Sequence, residues 1–329
     1  MKRLLSVAVA AIAVGGGPAL ADPPDKYAMA GASPGGVWSV IASGVDASVA
    51  AAYPGSVITY QTSGGGLANI ALVDQHKVPL ALAVDGELML ARAGRPPFKQ
   101  KIESSRAIAF VAGWLPMFMA VNKSFADKYG LATLEDVAKK KPPIRIAVNR
   151  RGNLAYLISE SMLKHAGGSF DDIEKAGGKI VYAASAEAAS LMTDGRIDMI
   201  FNMLPVGHSS LRQIEQSVEL VELGVSKEVS EKSAKEMGVE LFTIPAGKPH
   251  KWVAHDLTVP SQGTVLIASK DMDDATAYNL AKGITEHLDK IQAAHPSLRQ
   301  LTKEYIASLK VAPYHPGSVK YYKEAGLMK

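Results

Sequence analysis

Residues 144–167 read IRIAVNRRGNLAYLISESMLKHAG. The apolar run IRIA at 144–147 leads into VNRRGN at 148–153, and a segment with helical periodicity follows from Leu154 to about His165. A short apolar strand, a polar turn with glycine and a longer amphipathic segment make one β-α unit. The same order recurs along the chain. Strands are expected at 27–31, 56–62, 79–84, 106–112, 117–122, 144–149, 179–183, 197–202, 218–223, 241–247 and 263–269. Helices are expected at 37–53, 67–77, 87–94, 133–140, 154–165, 186–195, 208–216 and 273–295. Alternation of this kind builds sheets covered by helices, so the fold class is α/β.

The order of the units implies two lobes, with the chain entering the second and returning to the first. The expected division is 22–118 plus 262–329 for lobe 1 and 119–261 for lobe 2, with a ligand cleft between them. Residues 1–21 stand apart. Lys2 and Arg3, the apolar run LLSVAVAAIAV and the small-residue end Ala19-Leu20-Ala21 have the three parts of a secretory signal, with cleavage expected after Ala21. The mature chain is therefore expected in the periplasm, as a monomer.

The chain has 329 residues and no cysteine, which excludes disulfides, thiolate metal sites and cysteine nucleophiles. Removing Lys2 and Arg3 from 36 Lys+Arg leaves 34 against 32 Asp+Glu, a balance of +2. Such a balance points to neither nucleic acid nor an acidic membrane as partner. No segment after the signal approaches a membrane-spanning apolar length.

Three strand-to-helix junctions stand out as ligand loops: ASPGGVW at 32–38, TSGGGLAN at 62–69 and NRRGNLA at 149–155. Gly35, Gly36 and Gly64 let backbone N–H groups approach an anion at a helix N-terminus, although strand-to-helix turns use glycine in any case. Ser33, Thr62, Ser63, Asn69, Asn149, Asn153 and Asn202 supply neutral donors and acceptors, or serve as helix caps. Trp38 would floor the cleft or pack in the core, and Asp85 would either receive a ligand ammonium or cap a helix. Arg150 and Arg151 offer guanidinium forks for a carboxylate. Adjacent residues point in different directions, so one is expected to face the cleft and the other to be solvated or to brace the hinge. A plain basic turn after Lys139-Lys140-Lys141 is the alternative.

Catalytic patterns are weak. SMLK at 161–164 lies inside a helical pattern without companion motifs, and GxSxG, HExxH, GxGxxG and the phosphate-loop pattern are absent. His250 and His255 are five apart, a spacing that suits no helical metal site. Neither an enzyme, a bound metal nor a cofactor is expected.

Five segments together resemble the TAXI family, the exported solute-binding receptors of tripartite ATP-independent periplasmic (TRAP) transporters. They are GASPGGVW at 31–38, ITYQTSGGGLANI at 58–70, DGRIDMIF at 194–201, TIPAG at 243–247 and YHPGSVKYYKEAGL at 314–327. The last is similar to the family's HPGA-x-RYY-x-E-x-G ending, with Ser318 for alanine and Lys320 for arginine. The resemblance implies a two-lobed, type II periplasmic-binding-protein fold. It also implies a small organic anion as ligand and the membrane permease subunits of an ion-gradient-driven transporter as partner. Two loops depart from the family pattern. Val37 and Trp38 replace threonine and tyrosine positions of the first loop, and NRRGNLA replaces a GxxGSGT-like turn, so glutamate is not carried over in preference to a dicarboxylate or 2-oxo acid. A receptor of an ATP-driven importer shares the architecture, and the HPGA-like ending argues against it. A ligand-sensing subunit of a signalling system is a further alternative.

Overall fold

The computed structural model describes residues 26–329, so the expected signal peptide lies outside the described residues. Ten strands organise the described residues: β1 (Lys26–Ala30), β2 (Val57–Gln61), β3 (Leu80–Val84), β4 (Ser105–Asn122), β5 (Arg145–Val148), β6 (Lys179–Tyr182), β7 (Met199–Met203), β8 (Leu220–Glu222), β9 (Glu240–Ile244) and β10 (Leu257–Ser269). Their order is β2-β1-β3-β10-β4-β7-β5-β6, with β8 added to β4 and β9 to β10.

This run divides into two sheets that share β4. Its first half pairs antiparallel with β10, and its second half pairs antiparallel with β7 and β8. β1, β2 and β3 are parallel to one another in the first sheet, as β5, β6 and β7 are in the second. Each sheet with its helices forms one lobe. LALAV of β3 and MIFNM of β7 are buried at every position, the mark of strands covered on both faces. The edge strand β2 is largely exposed.

The sequence suggests two strands at 106–112 and 117–122, but the chain runs through GWLP as one strand. Gly113 is required because the Tyr305 ring lies 2.7 Å from where a Cβ would stand. Trp114 takes a φ of 57°, and Pro116, with no N–H to give, accepts at its carbonyl from Leu204 N–H at 3.1 Å. A bulged strand tolerates the signals that ordinarily end one. β10 starts six residues before the expected 263, because Leu257–Ser261 pairs with β9.

The expected helix at 273–295 is two helices, Asp274–Glu286 and Leu288–Ala294, broken at His287. The His287 carbonyl accepts from Ser48 Oγ at 3.0 Å, on the helix Val37–Ala52. That helix meets the Leu288–Ala294 helix at Gly44, where an added Cβ would lie 2.9 Å from Ile291 Cα. The HPGS ending is a packing device. Gly317 sits where a Cβ would be 2.0 Å from the Asp274 carbonyl, and fully buried Tyr322 donates to the Ile108 carbonyl at 2.7 Å.

Candidate functional site

Five loops and strand crossings enclose a cavity of about 120 Å³ between the lobes. One wall is the loop after β1, Ala32 to Gly36, with Val37 and Trp38 opening the first helix. Opposite are Asn149, Asn153 and Leu154 after β5, Ala184 to Ala186 after β6, and Leu204 and His208 to Ser210 after β7. Leu115 of β4 and Gln262 of β10 close the base where those strands cross.

Four helix N-termini therefore face one small volume: Val37–Ala52, Leu154–His165, Ser185–Thr193 and Ser209–Ile214. The first three have no side-chain cap, their capping positions being Gly36, Asn153 and Ala184. The first turns of Val37–Ala52 and Ser185–Thr193 leave backbone donors and the positive end of the helix dipole for an anion, whereas the Leu154 N–H that opens the second helix is taken by Glu87. Only the fourth is capped, by His208 Nδ1, which accepts from Ser210 N–H at 3.2 Å. Burial first, and then nearby His295, hold the His208 imidazole down at about 4. It is neutral at physiological pH, and because Nδ1 accepts, its hydrogen is on Nε2.

The lobes touch around the cavity. Leu67 N–H donates to the Gly152 carbonyl at 3.3 Å, and Gly65 lies so close to Gly152 and Asn153 that a Cβ there would meet the Gly152 oxygen at 2.7 Å. Glu87, 1 % exposed, accepts from Val84 N–H at 2.9 Å within its own lobe and from Leu154 N–H at 3.0 Å across the cleft. Burial pushes its carboxyl up to about 8.

Residues 29–326 match the model of the NMT1-like family. The chain belongs to the NMT1-like family. Solved structures share the architecture of this NMT1-like protein. MatC from Rhodopseudomonas palustris with bound malate is 16% identical over 93% of this chain and 100% of that one, with a TM-score of 0.56. Rpa4515 from the same organism, with adipate, is 15% identical over 93% and 94% at a TM-score of 0.56. The periplasmic binding protein BugD is 15% identical over 93% and 99% at 0.58. The fold is that of two-lobed periplasmic solute-binding proteins.

Within the NMT1-like chain, Ser33, Gly35, Gly36, Val37, Trp38 and Asn153 line the cavity. Trp38 gives its indole N–H to Thr264 Oγ1 at 3.1 Å, so its ring presents apolar surface. The TSGGG loop is in a different position. Thr62 and Gly64 are exposed, while Ser63 Oγ donates to the Gly31 carbonyl at 2.6 Å. Fully buried Asn69 ties the ends of β1 and β3 together through Nδ2, to Gly31 and Leu82 carbonyls at 2.7 Å each. Asp85, 6 % exposed, accepts from Gly86 and Gly263 N–H at 2.8 and 3.2 Å, and burial pushes it up to about 8. Asn202 stands behind the lining, accepting from Asn149 Nδ2 at 3.1 Å and donating to Ser185 Oγ at 3.3 Å.

Neither arginine lines the cavity. Arg150 lies at the mouth, half exposed, donating to Ser33 Oγ at 3.1 Å across the cleft and pairing with Glu187 at 3.4 Å. Arg151 stacks on the Tyr182 ring at 4.2 Å. Ser185, His208, Ser209 and Ser210 belong to the junctions after β6 and β7, which the sequence marks by the same strand-to-helix pattern as the other three. Glu87 and Gln262 carry no such signal, since a carboxylate in a helix and a glutamine in a strand read as ordinary surface polarity. Among the described residues, no group of three His, Asp or Glu is placed to hold a metal, and no helix is long and apolar enough to cross a membrane.

Proposed function

We propose that this NMT1-like protein is a periplasmic solute-binding receptor that closes its two lobes on a small organic acid and presents it to a membrane permease. The observation that carries the reading is the convergence of helix N-termini from both lobes on one small cavity, with Val37–Ala52 and Ser185–Thr193 lacking a side-chain cap. A carboxylate there meets backbone donors from both lobes, so it favours the closed arrangement over an open one. Serine hydroxyls, Asn149 and Asn153 amides and the neutral His208 supply further polar contacts without a fixed charge in the lining. Arg150 at the rim supplies long-range attraction, and Glu187 tempers it. Lobe 1 is taken as 22–118 plus 262–329 and lobe 2 as 119–261, with the crossing of β4 and β10 as hinge.

The resemblance of the five sequence segments to the TAXI family supports an ion-gradient-driven permease of the TRAP type as the partner. Binding is tested by a thermal-shift screen of mono- and dicarboxylates, 2-oxo and hydroxy acids, amino acids, sulfonates and sugars. An acid at about 100 times its Kd stabilises the fold by about 2.7 kcal/mol. A melting temperature raised by neutral sugars alone overturns the reading. Uptake into vesicles holding the permease separates the transporter types: the TRAP assignment requires transport driven by an ion gradient, and a requirement for ATP replaces it with an importer of the ATP-driven class.

A further inference from the structure

Gln262 stands in the cavity wall, 8 % exposed, and its Oε1 is sealed from solvent with no hydrogen-bond donor from the protein. Its place is fixed by the strand crossing. β10 slips register against β4 between Gln262 and Thr264, and the Gly263 N–H in the slip goes to Asp85. The Phe110 and Tyr305 side chains fill the space where a Cβ of residue 263 would lie, at 2.6 and 2.9 Å. A bulge re-aims its neighbouring side chain, and Gln262 is among the residues that line the cavity.

A buried acceptor without a donor is unfavourable, and in a binding cavity the missing donor is the ligand's to bring. A carboxylate has none. The one acidic side chain in the lining, Glu87, already accepts backbone N–H groups at both oxygens, so no free carboxylate waits for an ammonium. A neutral hydroxyl meets Oε1 without bringing a charge into the cavity. Resting on the organic-acid reading above, we infer that Gln262 selects a hydroxy acid, its Oε1 accepting from the ligand hydroxyl while the carboxylate lies at the uncapped helix N-termini.

Isothermal titration of the purified protein with matched acids tests this: succinate against L-malate, and glutarate against 2-hydroxyglutarate, 2-oxoglutarate and glutamate. In the chain length that binds, the hydroxy acid is expected to bind about tenfold or more tighter than its unsubstituted and 2-oxo counterparts, as sites built to pair a hydroxyl discriminate strongly. Gln262→Met keeps the length of the side chain and removes the acceptor, and is expected to reduce that preference to within about twofold. Equal binding of hydroxy and unsubstituted acids by the unaltered protein overturns the inference and leaves the organic-acid reading standing. So does a preference that survives in Gln262→Met. A preference for 2-oxoglutarate overturns it by showing that the amide offers its N–H, and a preference for glutamate does so by showing that an ammonium is accepted. Binding of none of these acids, with a response to neutral solutes only, overturns the organic-acid reading itself.

Discussion

Two pairs of ionisable residues flank the cleft, and the fold places them in opposite ways. Asp85 and Glu87, at the start of the helix Asp85–Ala93, are buried, and backbone N–H groups meet their oxygens from Val84, Gly86, Leu154 and Gly263. Arg150 and Arg151 occupy the corresponding kind of junction in the other lobe and remain outside, one on Glu187 and one on the Tyr182 ring. The difference follows from partner supply. A short carboxyl group can be satisfied by N–H groups at a strand end or a glycine bulge, which approach closely. A guanidinium has five donors on a long stem and needs acceptors spread around it, which a small cavity facing helix N-termini does not contain. Glu87 therefore fastens the lobes at the inner wall while Asp85 braces the β10 bulge within its own lobe, and of the two arginines only Arg150 reaches across the rim.

The largest effect is expected at Glu87. Glu87→Ala leaves the Val84 and Leu154 N–H groups unpaired in a dry site, which costs about 2–4 kcal/mol. Calorimetry is expected to show a fall in melting temperature of about 3–6 °C. Glu87→Gln keeps the shape and one acceptor, and is expected to lose less. A melting point within a degree of the unaltered protein for Glu87→Ala would break the comparison, because the carboxylate would then fasten nothing.

The same burial gives a pH signature. Asp85, Glu87 and Glu222 are each pushed by burial up to about 8, from 3.8, 4.5 and 4.5. Between the unfolded and folded values the folded chain holds more protons, so each contribution is complete at low pH and is lost as pH rises through about 8. His208 has the opposite sign over part of the range. Its folded value is lowered to about 4 from 6.5, so it adds stability as pH rises to 6.5. Stability is expected to decline from about pH 4.5, where His208 offsets only one of the three acids, and more steeply between 6.5 and about 8, by on the order of 1 kcal/mol per acid per pH unit. Melting curves from pH 5 to 9 check this. Asp85→Asn should flatten the decline, and an unchanged slope would remove Asp85 from the buried class.

Much of the β-α order was legible because strands such as LALAV and MIFNM are buried on both faces and so are apolar without interruption. The helix Lys227–Met237 was not legible. KEVSEKSAKEM has few apolar residues, and its supports are a Ser226 cap and the ion pairs Lys227–Glu231 and Glu228–Lys232. At the cleft, the glycine and serine junctions could be read as loops before helices, and ASPGGVW does line the cavity. The roles of individual side chains could not be read in the same way. Arg150 and Arg151 show a charge at a junction, whereas Glu187 and Tyr182, which hold them outside, lie 31 or more residues away along the chain. Gln262 depends on a register slip between β4 and β10, which no local pattern records.

A smaller effect is expected at the rim. Arg150 is half exposed and reaches Ser33 across the cleft while paired with Glu187. Arg150→Ala is expected to change stability by less than about 1 kcal/mol. Ligand binding is expected to weaken a few-fold, mostly through a slower association rate whose salt dependence is reduced. Stopped-flow association at two ionic strengths checks this, and a dissociation rate raised a hundredfold would place the guanidinium on the ligand.

The smallest effect is expected at Arg151. Its guanidinium covers the Tyr182 ring, which Tyr156 meets edge-on at 5.9 Å. An exposed cation over a tyrosine face contributes about 0.5–1 kcal/mol, and nothing in that contact changes with the ligand. Arg151→Ala is therefore expected to lower the melting temperature slightly and leave Kd and both rate constants unchanged. Measured beside Arg150→Ala, it divides the pair: a kinetic change at 150 with none at 151 follows if one arginine bridges the lobes and the other rests on its own. Equal losses of affinity in both variants mean that the two guanidinium groups act on the ligand together, and the rim then does the work assigned to the helix N-termini.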